Sequence, residues 1–198
     1  MLCLGDSYTV GEGVSAAERW PERLAAALAV RGSDPGIPQV IARTGWTVDE
    51  LTAAIDHERP RGSRRLVTLL IGVNDQYRGH TLAAYEPAFR SLLARAIGFA
   101  GGHAERVLVI SIPDWGVSPF AADRDRTPIA HAIDTFNASN RAAAEAAGAR
   151  WVEITDLTRS AGADSAAYTS DGLHPSAAMH ARWLERLVPA ALAVLGTR

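Results

Sequence analysis

Four short segments carry residues whose types and spacing suit acyl transfer. The first is Gly5-Asp6-Ser7, directly after an apolar run. A serine hydroxyl becomes a nucleophile when a base takes its proton, and a turn leaving a strand also puts backbone N–H groups beside it. The second is Thr44-Gly45-Trp46. A glycine lets backbone approach a ligand closely, so its N–H could steady a developing oxyanion. The third is Gly72-Val73-Asn74-Asp75, where the Asn74 side-chain amide is a further donor. The fourth is Asp171-Gly172-Leu173-His174-Pro175. A carboxylate three residues before a histidine can accept its Nδ1–H, fixing the tautomer and leaving Nε2 free to take a proton from a serine.

Each segment alone has a plainer reading. Ser7 could simply cap a helix, Thr44-Gly45-Trp46 could be a turn, and Asn74 and Asp75 could bond their own backbone. Asp171-Gly172 could be a surface turn with a capping histidine. In combination they supply a nucleophile, a base, a group that orients the base and three oxyanion donors: the N–H groups of Ser7 and Gly45 and the amide of Asn74.

Such a site needs a scaffold that brings four distant loops together. Strand candidates are Met1–Leu4, Gln39–Ala42, Leu66–Ile71, Arg106–Ile112 and Trp151–Ile154. Three of these are continuous Val/Ile/Leu-rich runs, as parallel strands buried on both faces should be. Between them lie helix candidates at Glu18–Arg31, Val48–Glu58, Leu82–Phe99, Pro128–Ala147 and Pro175–Leu195. Thr47 with Glu50 reads as a capping box, and Thr127 before Pro128 as a cap. Gly32 and Gly148 fall where helices should stop, and Pro189 should end or kink the last one. Strand–helix alternation implies a parallel sheet covered by helices, with chemistry in the loops beyond the strand C-termini.

Bulk properties agree with one compact domain over residues 1–198. Hydrophobic residues make up 47%, enough for a sizeable core, and 20 basic against 22 acidic side chains leave no electrostatic footprint for nucleic acid. The basic stretch Arg59–Arg65 reads as a solvated loop. The single cysteine, Cys3, excludes an internal disulfide and sits in an apolar run, as a packed residue would. No run is long enough for a membrane span, and no leader pattern is visible, so a cytoplasmic location is expected. The first apolar run begins at Met1, which points to a short first strand and a start that has lost upstream residues.

From Gly5 to His174 the chain resembles the SGNH hydrolases, also called GDSL esterases and lipases. Ser7, Gly45, Asn74 and His174 match that family's four invariant residues in order, and Asp171 matches the aspartate behind the histidine. Tyr8 stands where the family's name has leucine. The resemblance implies a flavodoxin-like α/β fold, a three-layer α/β/α sandwich around a parallel five-stranded sheet. It also implies a carboxylic ester hydrolase working through an acyl-enzyme, with no metal and no organic cofactor. Simple esters, acetylated carbohydrates and lysophospholipids are the substrate classes implied.

Two other readings stay open: an acyltransferase on the same site, and a binding module for carbohydrate or acyl ligands, since fold alone does not fix function. Tyr8, Trp46, Tyr77 and Trp115 follow strand ends and are candidate pocket residues, although aromatics in such loops are as often ordinary packing. Phe120 belongs with them, and Glu12 is a candidate polar neighbour. His57, His80, His103, His131 and His180 show no ligand spacing for a metal. The expected partner is a small-molecule ester; oligomeric state is not legible.

Overall fold

A computed structural model describes residues 1–196. Five strands, β1 (Leu2–Gly5), β2 (Gln39–Ala42), β3 (Val67–Leu70), β4 (Val107–Ile110) and β5 (Arg150–Val152), form one sheet in the order β2-β1-β3-β4-β5. All pairings are parallel. Every residue of β1, β3 and β4 is buried. Side chains alternate between the two faces of a strand, so complete burial means that helices cover both faces.

Among the described residues, eight α-helices accompany the strands: α1 (Ser7–Val10), α2 (Trp20–Val30), α3 (Val48–Glu58), α4 (Val73–Tyr77), α5 (Leu82–Phe99), α6 (Arg126–Ala147), α7 (Thr155–Ala161) and α8 (Ala177–Leu195). The helix α2 packs on α8, while α3, α5 and α6 pack in a row. The result is the expected three-layer α/β/α sandwich on a flavodoxin-like sheet. The chain leaves β1 toward one side of the sheet and returns on the other, so the switch point lies between β1 and β3. Ligands bind beyond strand C-termini at such a point, and the loops there are those of Ser7 and Asn74. No helix among the described residues is long and apolar enough to cross a membrane.

Local signals explain most boundaries. The capping box is present: Thr47 Oγ1 accepts from the Glu50 N–H, and the Glu50 carboxylate accepts from the Thr47 N–H at 2.8 Å. Gly148 ends α6 in the left-handed region. Three expectations need correction. Asp125, not Thr127, caps α6, because its carboxylate accepts from the Thr127 N–H at 3.0 Å and draws two more residues into the helix. Pro175 does not open α8: Ser176 caps it, its Oγ accepting from the Met179 N–H at 3.3 Å. Pro189 does not end α8, which runs on to Leu195. Leu187, Val188 and Ala191 are buried around it, and that packing outweighs the roughly 3 kcal/mol an internal proline costs.

Cys3 is buried and unpaired, and burial pushes its thiol up to about 12. That leaves it an inert core residue.

Candidate active site

The four segments converge at the C-terminal ends of the strands. Ser7 is the first residue of α1, directly after β1. Asp6 caps this helix, its Oδ1 accepting from the Tyr8 N–H at 3.0 Å. Asp6 is fully buried beside the nucleophile, and its Oδ2 has no partner among the described residues. Burial, reinforced by nearby Asp75, pushes its carboxyl up to about 8 against the pull of the Tyr8 N–H. Burial thus favours the neutral acid beside Ser7.

His174 and Asp171 form the second half. His174 Nδ1 donates to Asp171 Oδ2 at 2.6 Å. Asp171 Oδ1 accepts from Thr169 Oγ1 at 2.8 Å and from the backbone N–H groups of Leu173 and His174 at 2.8 and 3.0 Å. Partial burial pushes the Asp171 carboxyl up, but these four bonds, led by that from the His174 ring, hold it well below the usual carboxylate range. A carboxylate held in place at Nδ1 selects the Nδ1–H tautomer of the neutral ring, which leaves Nε2 as the nitrogen that could accept a proton. The Tyr8 ring meets the His174 ring edge-on, with centroids 6.1 Å apart.

A cavity of about 180 Å3 opens between these halves. It is lined by Ser7, Tyr8, Val73, Asn74, Tyr77, Trp115, Phe120, Leu173 and His174. The structure thus brings Ser7, His174 and Asn74 to one cavity, and puts Tyr8, Tyr77 and Trp115 in its wall. Val73 and Leu173 were not foreseen, although each adjoins a motif residue, Asn74 or His174.

Gly45 and Asp171 stand outside the lining itself. Gly45 has φ +86°, a backbone that only glycine adopts freely. Space is not the constraint, since an added Cβ would meet only Arg78 Nη2 at 3.7 Å. Its carbonyl is held by Arg78 Nη2 at 2.6 Å. Asn74 Nδ2 donates to the Trp46 carbonyl at 2.9 Å. That bond uses one of the two amide hydrogens and orients the other. Asp75 Oδ2 accepts from the Val48 N–H at 3.1 Å, and its Oδ1 pairs with His80 Nδ1 at 3.2 Å. Burial raises the Asp75 carboxyl above its ordinary value. Glu12 is not a wall residue; it accepts from Thr44 Oγ1, tying the segment after Ser7 to the Gly45 loop. Among the described residues, the N–H groups of Ser7 and Gly45 have no acceptor, as free donors would.

Trp46 departs from expectation. It lines a separate hollow with Glu50, Ala53, Ala54, His57 and Glu58. The turn at Gly45 carries its ring toward α3, and only its carbonyl serves the site.

The segment after β4 supplies the remaining wall. Arg159 pairs with Asp114 and Asp134, each at 2.8 Å. The Phe120 N–H donates to the Gly172 carbonyl at 3.0 Å, joining this segment to the Asp171–His174 loop. Trp115 Nε1 donates to Gln76 Oε1 at 2.8 Å.

Comparison with known proteins finds the same fold. The fold resembles TesA, with 23% identity, 98% of each chain covered and a TM-score of 0.70. It also resembles a variant of Axe2, an acetyl-xylooligosaccharide esterase from Geobacillus stearothermophilus. There the identity is 22%, all of this chain and 94% of that one are covered, and the TM-score is 0.69. The psychrotrophic esterase EstA from Pseudoalteromonas sp. is 17% identical, with 96% and 94% covered and a TM-score of 0.68. No curated protein sequence matches the chain significantly. The profile of the GDSL-like lipase/acylhydrolase family matches residues 3–182. Nearly the whole chain, including all four motif segments, falls within that match, so the chain belongs to the GDSL-like lipase/acylhydrolase family and is a hydrolase of carboxylic esters.

Proposed function

We propose that the protein hydrolyses esters of short acyl groups through a Ser7–His174–Asp171 triad and an acyl-enzyme. The observation that carries this reading is the shared cavity: Ser7 and His174 line one space, and His174 Nδ1 is bound to Asp171. In the proposed course, Ser7 Oγ attacks the ester carbonyl carbon while its proton passes to His174 Nε2. The carbonyl oxygen becomes an oxyanion, met by the N–H groups of Ser7 and Gly45 and the second amide hydrogen of Asn74. Collapse expels the alcohol, which leaves with the proton from Nε2. Water, deprotonated by the same imidazole, then attacks the acyl carbon, and the acid departs as the proton returns to Ser7.

Cavity size supports a short acyl group. The cavity measures about 180 Å3. Drug-sized ligands occupy roughly 300 Å3 or more. An acetyl or butyryl group fits that space, whereas a long acyl chain does not. A small acyl space suits an acetylated carbohydrate better than a lysophospholipid, whose acyl group is long. The fold neighbour Axe2 is an acetyl-xylooligosaccharide esterase.

The test is labelling and turnover with Ser7→Ala. A short alkyl phosphonate should label the parent on Ser7 and leave the variant unlabelled. The fold neighbour EstA has been crystallised inhibited by monoethylphosphonate. Aryl acetate hydrolysis should fall by orders of magnitude, to the residual rate that binding and the oxyanion donors sustain. Near-normal hydrolysis in the folded variant would remove Ser7 from the chemistry.

A further inference from the structure

Arg124 has no part in the triad or the oxyanion donors, yet it lies against three of the rings that wall the acyl cavity. Its guanidinium carbon lies 5.5 Å from the ring centroid of Tyr77, 5.4 Å from that of Trp115 and 5.3 Å from that of Phe120. One cation thus sits within cation–π range of three rings. Arg124 Nη2 also donates to the Tyr77 hydroxyl at 3.3 Å. The rings meet edge-on, Tyr77 with Trp115 at 5.2 Å and Trp115 with Phe120 at 6.3 Å. All three line the cavity that holds Ser7 and His174; Arg124 does not. Arg124 is exposed, so it covers the ring cluster from the solvent side.

The rings come from two separate pieces of chain. Tyr77 ends α4, whereas Trp115 and Phe120 belong to the segment between β4 and α6. Trp115 is nearly buried, but Tyr77 is 48% exposed and Phe120 41% exposed. Half-exposed rings on different segments are free to splay unless something spans them. The planar guanidinium of Arg124 spans them, and its alkyl stem adds apolar cover.

We propose that Arg124 determines acyl-chain specificity by clamping Tyr77 and Phe120 against Trp115, which keeps the cavity too short for medium and long acyl groups. The proposal rests on the reading of this cavity as the acyl site. With the clamp removed, the outer rings part, the wall opens toward solvent, and longer chains gain apolar contact. A lysine in the same place keeps the charge but lacks the planar face that meets three rings at once, so it should restore the wall only partly.

The test compares the parent, Arg124→Ala and Arg124→Lys on aryl acetate, butyrate, hexanoate and octanoate, with the thermal midpoint recorded for each protein. The readout is the ratio of kcat/KM for octanoate to that for acetate. It should rise roughly tenfold or more in Arg124→Ala, the scale on which a methylene or two is sorted by an apolar pocket, and less in Arg124→Lys. An unchanged ratio, or an equal loss on every ester, in a parent-like active series would overturn the role of Arg124 and leave the acyl-site reading standing. A parent that turns over none of the esters would overturn both.

Discussion

Replacing Asn74 would separate catalysis from architecture, because its amide bonds the Trp46 carbonyl and, in the proposed course, also meets the oxyanion. One amide hydrogen is bonded to the Trp46 carbonyl at 2.9 Å, and the side chain lines the cavity with Ser7 and His174. Loss of a single neutral hydrogen bond costs about 1 kcal/mol of stability. For a chain of this length, that lowers the thermal midpoint by roughly 2–4 °C. Loss of one oxyanion donor costs about 2.7–4 kcal/mol in the barrier, or roughly 10²–10³ in kcat. Asn74→Ala should therefore show a small drop in midpoint beside a large drop in kcat, with KM much less affected because the donor acts mainly in the transition state. Asn74→Asp should be at least as slow. Its carboxylate would face both the Trp46 carbonyl and the developing oxyanion, and it has no hydrogen to offer either. Steady-state kinetics on an aryl acetate and thermal melts on the same preparations decide the matter. A large loss of midpoint with parent-like kcat in the folded fraction would make Asn74 a turn residue and leave the oxyanion to the backbone donors.

The other expected outcomes are these. Asp171→Asn should lower kcat by on the order of 10²-fold or more by disturbing the imidazole tautomer; the Asp171 side chain is 44% exposed, so the effect should stay below the roughly 10⁴-fold seen for the buried aspartate of a serine protease. Unchanged kcat would show that His174 needs no partner. Gly5→Ala should destabilise strongly, since its Cβ would come within 2.6 Å of the Leu70 carbonyl and closer still to Thr9 Oγ1; a parent-like midpoint would refute that crowding. Stability should vary with pH through two opposed buried groups. Burial raises Asp6 from 3.8 to about 8, so its share is full below 3.8 and is lost as pH rises to 8. Burial, with Arg23 and Arg19 adding to it, lowers His180 from 6.5 to about 4; its share is full above 6.5 and is lost as pH falls to 4. Between pH 4 and 6.5 the two slopes oppose each other, and between 6.5 and 8 Asp6 lowers stability by at most about 1.4 kcal/mol per pH unit, opposed by the Met1 amino group, which burial holds below its ordinary 8.0. Asp6→Asn, which can still cap α1, should abolish the alkaline slope in denaturant unfolding, and persistence of the slope would assign it to other groups.

How much of this was legible in the sequence follows from the range of each signal. The helix α3 could be bounded to the residue, because its capping box lies within four positions. The strands β1, β3 and β4 are readable as apolar runs, since burial on both faces leaves Thr68 as the one polar side chain in them. The helices α1, α4 and α7 are not, being too short for a 3.6-residue period to show. The cap of α6 was misplaced because Asp125 and Thr127 are both good caps, and only backbone geometry chooses between them. The same limit acts at the candidate site. The Asp171–His174 pair was legible because its partners are three residues apart, and the structure joins them at 2.6 Å. Trp46 looked like a pocket residue by its place after a strand, but the side a ring takes depends on the backbone at Gly45, at φ +86°, which composition does not report. Arg124 is one of several charged residues in the irregular segment between β4 and α6. Its three rings come from positions 77, 115 and 120, and the nearest of them is four residues away. Residues that make the bonds of a reaction must meet in strict geometry and so leave short motifs. Residues that set the size of a cavity need only touch, and the contacts that assemble them are made by the fold.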